Sequence, residues 1–259
     1  MKVFISTIGK VGSSTLKSSF EKSGFRKLSN SPSDIHKLVS YAGDCVIHTH
    51  NIKYTASAVK RAVNRKEKCL VLVGARDLLK RHVSAFYQNI ENKNNKFWYL
   101  PGWKNITITE MHREFEKRAI VYIEKSAANW FYRFTKINEI PDSDIAQKLE
   151  QTRLNGISSL DVSRKNGGSI KYVFYQLEKL NANWSLIKDY SNSSRFPNEP
   201  VLNNEASDKA TSQSYIDFLR TYTPSPHILE MSYSCDLCKF YANEEIDQQK
   251  QKWFNKQKN

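Results

Sequence analysis

The sequence predicts a three-layer α/β fold in which a central, mainly parallel sheet is flanked by helices. Three apolar, β-prone runs occur within the first 75 residues, and each is followed by a segment with helical character. Because parallel strands need crossover connections, strand-then-helix units in succession indicate a parallel sheet covered by helices. Loops that follow these strands should lie together at the carboxyl edge of the sheet, where such folds bind ligands.

The predicted elements follow one another in a regular order. The first three strands are Lys2 to Ser6, Asp44 to His48 and Lys68 to Val73, and the helices after them are Thr15 to Lys22, Tyr54 to Lys66 and a segment reaching about Asn89. Later elements are a helix over 109–119, a strand from Ile170 to Tyr175, and helices up to about Tyr190, from Gln213 to Tyr222 and from Asn243 to about Phe254. Polar segments over 91–110 and 191–212 are predicted to be loops.

Size and charge restrict the class of protein. A chain of 259 residues, 39% of them hydrophobic, can bury one sizeable core, and we expect a single domain over residues 1–259. The net charge of +14 attracts anions, and nucleic acid, an anionic membrane surface, a phosphorylated nucleotide or an acidic polysaccharide would all fit it. The first 20 residues contain no apolar stretch long enough for a signal peptide or membrane span, so we expect a cytoplasmic protein.

The cysteines favour structural roles. Cys45 and Cys69 lie in strand-like apolar runs, where a reduced thiol that fills the core is expected. Cys235-x-x-Cys238 would need a second ligand pair to bind zinc, and no nearby Cys or His supplies one. No metal site is therefore expected.

A loop after the first strand has the composition of an anion site. Glycine lets the backbone turn tightly, successive N–H groups can point inward, and the next helix presents its positive end. Hydroxyl groups and one lysine add donors and positive charge. The candidate residues are Lys10, Val11, Gly12, Ser13, Ser14 and Thr15. Taken alone, the segment could also be an ordinary Gly/Ser turn, and its lysine precedes the glycine, unlike the ATP-binding order Gly-x-x-x-x-Gly-Lys-Ser/Thr.

A second anion site is predicted after the third strand. Arg76 follows that strand and offers a bidentate fork for a phosphate, and Ser84 offers a hydroxyl from the helix eight residues on. Either residue alone would more often be an ordinary surface Arg or a helix-interior Ser. Asp77 is placed to cap this helix rather than to hold Mg²⁺, which argues against a kinase.

Two histidines are candidates for a general base. His48 and His50 lie at the carboxyl end of the second strand, and the alternation of side chains along a strand puts both on the same side. An imidazole can accept a hydroxyl proton near neutral pH. We expect His50 to be the base and His48 to orient it, and the reverse assignment stays open.

Taken together, these motifs resemble the family of sulfotransferases that use 3′-phosphoadenosine 5′-phosphosulfate (PAPS), most closely the bacterial proteins assigned to capsular polysaccharide synthesis. The family's 5′-phosphosulfate loop has its lysine first, as at Lys10, and its 3′-phosphate motif is Arg-Asp-Pro with a later Ser, where this chain has Leu78 instead of Pro. Uronyl 2-O-sulfotransferases carry a comparable His-x-His. Looser similarities, such as Asn129-Trp130-Phe131, extend over most of the chain.

The resemblance implies a P-loop-type fold and a set of roles. Lys10 would stabilise the departing phosphate, the loop up to Thr15 would hold the donor, and Arg76 with Ser84 would bind the 3′-phosphate. The implied acceptor is a carbohydrate hydroxyl, without nucleic acid. Trp130 and Tyr132 could stack on the sugar, although such residues more often pack in a core. The rival classes are a P-loop nucleotide-dependent kinase and a basic nucleic-acid-binding module.

Overall fold

The computed structural model describes residues 1–8, 13–28, 43–163, 167–201 and 212–255. Contacts divide the chain into a sheet unit, Met1–Arg76 with Phe131–Asn203, and a helical unit, Asp77–Trp130 with Asn204–Asn259. The single domain predicted for residues 1–259 stays a prediction.

Six strands form one sheet within the described part of the sheet unit, in the order β2-β3-β1-β4-β6-β5. The strands are β1 (Lys2–Ser6), β2 (Arg26–Leu28), β3 (Cys45–Thr49), β4 (Lys68–Ala75), β5 (Ile157–Ser163) and β6 (Ser169–Gln176). All neighbouring pairs are parallel except β5 with β6. The predicted α/β class with a mainly parallel central sheet is confirmed. The sequence analysis did not predict the strands β2 and β5.

Helices connect and cover these strands. The α-helices are α1 (Ser13–Lys22), α2 (Ile52–Asn64), α3 (Leu78–Asn89), α4 (Ile108–Tyr122), α5 (Trp130–Ile137), α6 (Asp142–Asn155), α7 (Trp184–Ser191), α8 (Ser212–Thr221), α9 (Pro226–Tyr233) and α10 (Asn243–Phe254). None of the described helices is both long and apolar enough to span a membrane.

The central strands are buried on both faces, as parallel strands usually are. Phe4 of β1 pairs with Ile47 of β3 on one side and Val71 of β4 on the other. One face of the sheet packs against α1 and α7, whose Leu16 and Trp184 join its core. On the other face, α2 contacts β1, β3 and β4. The sheet is thus covered by helices on both faces.

The helical unit has an aromatic core. Phe115 lies 5.5 Å from Phe86 and 5.4 Å from both Phe218 and Tyr222, measured between ring centroids. Such edge and tilted contacts stabilise packed aromatic rings. α4 continues to Tyr122, so the apolar run that ends it is helical.

All four cysteines are buried and carry free thiols. Burial raises the pKa of Cys45 to about 11 and that of Cys69 to about 12. A thiol that stays protonated is a poor nucleophile, which agrees with the predicted core-filling role of these two residues.

Candidate active site

Three adjacent strands deliver polar residues to the carboxyl edge of the sheet. β1 lies between β3 and β4, and all three run parallel. The residues that directly follow them therefore leave from the same edge: Thr7 after β1, His50 after β3 and Arg76 after β4. The candidate site is built on this edge.

The predicted anion loop is described only in part. Lys10, Val11 and Gly12 lie outside the described residues. Ser13, Ser14 and Thr15 form the first turn of α1, where Ser13 is buried and the other two are half-buried. Because the first N–H groups of a helix lack intrahelical partners and carry partial positive charge, this turn with its three hydroxyl groups is suited to an anion.

The two candidate histidines contact each other. Their ring centroids lie 4.6 Å apart, with the rings at 88°. Both side chains share the sheet face of Val46, which packs in one core with Leu16 of α1. The alternation along β3 thus places the pair on the α1 side of the sheet, whereas the sequence predicted only that the two lie on the same side.

A backbone carbonyl fixes the proton position on His50. Nδ1 of His50 lies 2.9 Å from the carbonyl oxygen of Thr7. Because a carbonyl can only accept a hydrogen bond, Nδ1 must carry the hydrogen. In the neutral ring, Nε2 therefore carries the lone pair and is the nitrogen able to take up a proton. His50 is an exposed residue, so this nitrogen belongs to a side chain at the surface of the sheet unit.

His48 has a different environment. Its Nε2 atom is buried and has no hydrogen-bond partner among the described residues. Burial, followed by repulsion from His50 and Lys17, lowers the pKa of His48 to about 3. His48 is therefore neutral near pH 7, because protonation would bury a charge.

The end of β4 is closely packed beneath Arg76. A Cβ atom on Gly74 would lie 2.3 Å from the ring of Tyr175 on β6, so only glycine fits there. Gly74 pairs with Tyr175, and the next pair is Ala75 with the fully buried Gln176. This packing fixes the backbone from which the half-buried Arg76 extends.

The other predicted residues fall in different places. Ser84 lies on α3 of the helical unit, where its hydroxyl is 3.1 Å from that of Tyr215. Trp130 is only 4% exposed, a burial that fits the core-packing alternative. Tyr132, in the sheet unit, is 54% exposed, and the Lys136 ammonium lies 5.4 Å from its ring centroid.

Two groups near the histidines were missed by the sequence analysis. The Thr7 carbonyl is a backbone atom, and no residue type signals its role. Asn51 caps α2: its side chain accepts from the N–H of Tyr54 at 3.3 Å, and its own N–H donates to Thr49 Oγ1 at 3.0 Å. Here a signal existed, because Asn directly before a helix is a common N-cap.

Neither a search for metal-binding clusters nor a comparison with known proteins adds residues to the site. In the part of the chain that the structure describes, no group of three or more His, Cys, Asp or Glu side chains could hold a metal ion. No protein-family model, curated protein or solved structure matches this chain.

Proposed function

We propose that the chain is a cytoplasmic PAPS-dependent sulfotransferase that transfers a sulfonate group to a carbohydrate hydroxyl, in a bacterial capsular or surface polysaccharide. The observation that carries the proposal is the 2.9 Å contact between His50 Nδ1 and the Thr7 carbonyl. It ties a candidate base to the segment that leads into the anion loop. A base beside an anion site is the arrangement that group transfer to a hydroxyl requires.

The donor set fits a doubly phosphorylated nucleotide. Hydroxyl groups of Ser13, Ser14 and Thr15 at the start of α1 suit the 5′ end of PAPS, and Arg76 suits its 3′-phosphate. Lys10 is proposed from the resemblance alone, as the cation that stabilises the leaving phosphate. PAPS itself supplies the sulfonate group when bound.

The base mechanism follows from the two imidazoles. Nε2 of His50 takes the proton of the acceptor hydroxyl, while Nδ1 keeps its hydrogen bond to Thr7 and holds the ring in place. Protonated His50 is positively charged, and a charged His48 only 4.6 Å away would oppose it. The low pKa of His48 removes this repulsion, so His48 acts as a neutral neighbour rather than as a second base.

Calorimetry separates the proposal from its rivals. We expect 3′-phosphoadenosine 5′-phosphate (PAP) to bind without metal, and Arg76→Ala to weaken it by at least about tenfold through the loss of a charge-assisted pair. The matched control is Lys93→Ala, which removes an exposed charge from the helical unit. Tighter binding of ATP with Mg²⁺ than of PAP would instead identify a kinase.

A transfer assay tests the activity directly. Labelled PAPS is incubated with the protein and with surface polysaccharides of the host, and we expect label in the glycan that is lost in Lys10→Ala. Binding of DNA or RNA that survives Lys10→Ala and His50→Ala and falls steeply with salt would favour the nucleic-acid-binding module instead. Absence of label in every glycan together with absence of PAP binding would refute the sulfotransferase assignment.

A further inference from the structure

A cavity lies at the amino edge of the sheet, at the end opposite the histidines. It has a volume of about 1030 Å³ and is lined by residues at the starts of β1, β4 and β6 and by the turn after α7. All of these residues belong to the sheet unit. Ligand pockets in proteins usually occupy about 300 to 1,000 Å³, so the cavity is large enough for a small ligand.

Charged side chains of both signs line this cavity. They are Lys2, Lys68, Lys171 and Arg195, with Asp44, Glu67, Asp161 and Asp189. Lys171 pairs with Asp161 at 2.6 Å, and Lys2 lies 3.4 Å from Glu67. Asp44 pairs with the Met1 ammonium. These pairs neutralise most of the charge within the wall.

One ammonium in the wall is deeply buried. Lys2 is 1% exposed, and its Nζ donates to the carbonyl oxygen of Gly43 at 2.7 Å. Burying a charged side chain costs free energy unless hydrogen bonds and a counter-charge offset it, so this part of the wall is held in a defined geometry.

Three charged groups remain. The side chains of Lys68, Arg195 and Asp189 make no hydrogen bond or ion pair with any other described residue, and all three are exposed. Two positive charges against one negative charge leave the cavity with a surplus of one positive charge. A ligand that carries a single anionic group would neutralise this surplus positive charge.

The rest of the lining suits a ligand with many hydroxyl groups. It includes Ser169, Asn192, Ser193, Ser194 and the half-buried ring of Tyr190. Hydroxyl and amide side chains both donate and accept hydrogen bonds, as sugar hydroxyl groups do. The paired lysines and carboxylates likewise place donors and acceptors side by side.

We propose that this cavity binds an anionic sugar, a polyhydroxylated ring with one carboxylate or phosphate group, whose charge is held by Lys68 and Arg195. The site is separate from the histidine site, because the two lie at opposite edges of the sheet. The proposal does not depend on sulfonate transfer. The acidic sugar can be a free sugar phosphate or a uronate unit of a polysaccharide, since both present the same chemistry.

Isothermal titration calorimetry with four probes tests the site: glucuronate, glucose 6-phosphate, glucose and inorganic phosphate. We expect one or both anionic sugars to bind, and glucose and phosphate to bind at least about tenfold more weakly. Lys68→Ala and Arg195→Ala should each lower the affinity of the anionic sugar by at least about tenfold, because each removes a charge-assisted contact. Asp189→Asn should raise it, because a like charge is removed.

Controls keep the test specific. Lys93→Ala removes an exposed lysine of the helical unit and should leave sugar affinity unchanged. PAP binding by Lys68→Ala and Arg195→Ala should also be unchanged, so failure of the donor site and failure of this cavity are distinguished. Equal affinity of wild type and both cavity variants overturns the proposal, as does phosphate binding as tight as that of the sugars.

Discussion

The two edges of the sheet differ in the charged side chains that they carry. At the carboxyl edge, the sheet-unit residues directly after β1, β3 and β4 are Thr7, His50 and Arg76, and none is a carboxylate. At the amino edge, four basic side chains face four acidic ones in a single cavity, and two of these pairs lie within 3.4 Å. These three positions bring an imidazole and a guanidinium to the carboxyl edge, which are donors suited to an anion.

This difference has a consequence for selectivity. At the carboxyl edge, the Arg76 guanidinium attracts strongly charged anions in general, and specificity must come from the placement of individual donors. An edge of paired charges attracts weakly over distance, because the fields of two close opposite charges largely cancel, and salt screens the remaining field beyond a Debye length of about 8 to 10 Å. Its selectivity comes from hydrogen bonds at contact. The two edges therefore suit ligands of different charge.

The largest expected effect is at the carboxyl edge. His50→Ala should lower sulfonate transfer by about 10²- to 10⁴-fold, the usual contribution of a general base. PAP affinity, measured by calorimetry, should change by less than about twofold, since the imidazole acts on the acceptor rather than on the phosphates. Lys93→Ala, which removes an exposed lysine of the helical unit, is the matched variant and should transfer at the wild-type rate. Equal rates in both variants would contradict the role of His50 as the base.

The next effect concerns the buried ammonium at the amino edge. Lys2→Met should lower the free energy of unfolding by about 2 kcal/mol, because it leaves Glu67 without its partner. Glu67 is 24% exposed and can be partly hydrated, which keeps the cost below that of a fully buried charge. In urea unfolding, the double variant Lys2→Met/Glu67→Gln should recover at least half of this loss. A further loss in the double variant would show that the pair does not act as a unit.

His48 makes stability depend on pH. The imidazole has a pKa of 6.5 when unfolded and about 3 when folded, so below pH 6.5 the unfolded chain binds more protons and the native state loses stability. Lowering the pH from about 7.5 to about 5.5 should cost about 1.4 kcal/mol through this group. In His48→Gln, urea unfolding at the two pH values should show a dependence smaller by that amount. An unchanged dependence would mean that His48 takes up its proton at the same pH in the folded and unfolded chains.

The smallest effect is at the cap of α2. Asn51→Ala should lower the free energy of unfolding by about 1 kcal/mol, because the N–H of Tyr54 loses its acceptor. Asn51→Asp keeps an acceptor and is the control, with near wild-type stability by thermal unfolding. Equal losses in both variants would assign the effect to the side-chain amide instead of the cap.

Much of the fold followed from local sequence signals. Asp77 was expected to cap the helix after β4, and its carboxylate accepts from the N–H of Lys80 at 3.0 Å. The strand β5 gave no such signal, because Ile157–Ser163 alternates poorly and lies at the sheet edge, where only part of it is buried. The start of α9 also follows from its residues: Ser225 caps the helix, and Pro226 occupies its first turn, where a backbone N–H would have no intrahelical partner.

For the candidate site, the sequence could predict which side chains lie on the same face, but not their protonation or their surroundings. Alternation along β3 predicted that His48 and His50 share a face, since a strand has a fixed period of two. It could not predict that His48 stays neutral or which nitrogen of His50 carries the hydrogen, because these depend on the burial of His48 Nε2 and on the Thr7 carbonyl facing His50. The amino-edge cavity could not be predicted either, because its lining comes from many separate chain segments.

The two outermost strands limit how the sheet can meet another copy of itself. β2 has three residues, and its Arg26 and Lys27 are exposed; at the other end, β5 carries the exposed Asp161. The short β2 is a poor template for the β2 strand of another copy, because the incoming strand gains few hydrogen bonds and brings like charges together. Pairing between the β2 edges of two copies is therefore disfavoured, so this end of the sheet is protected against growth by strand addition.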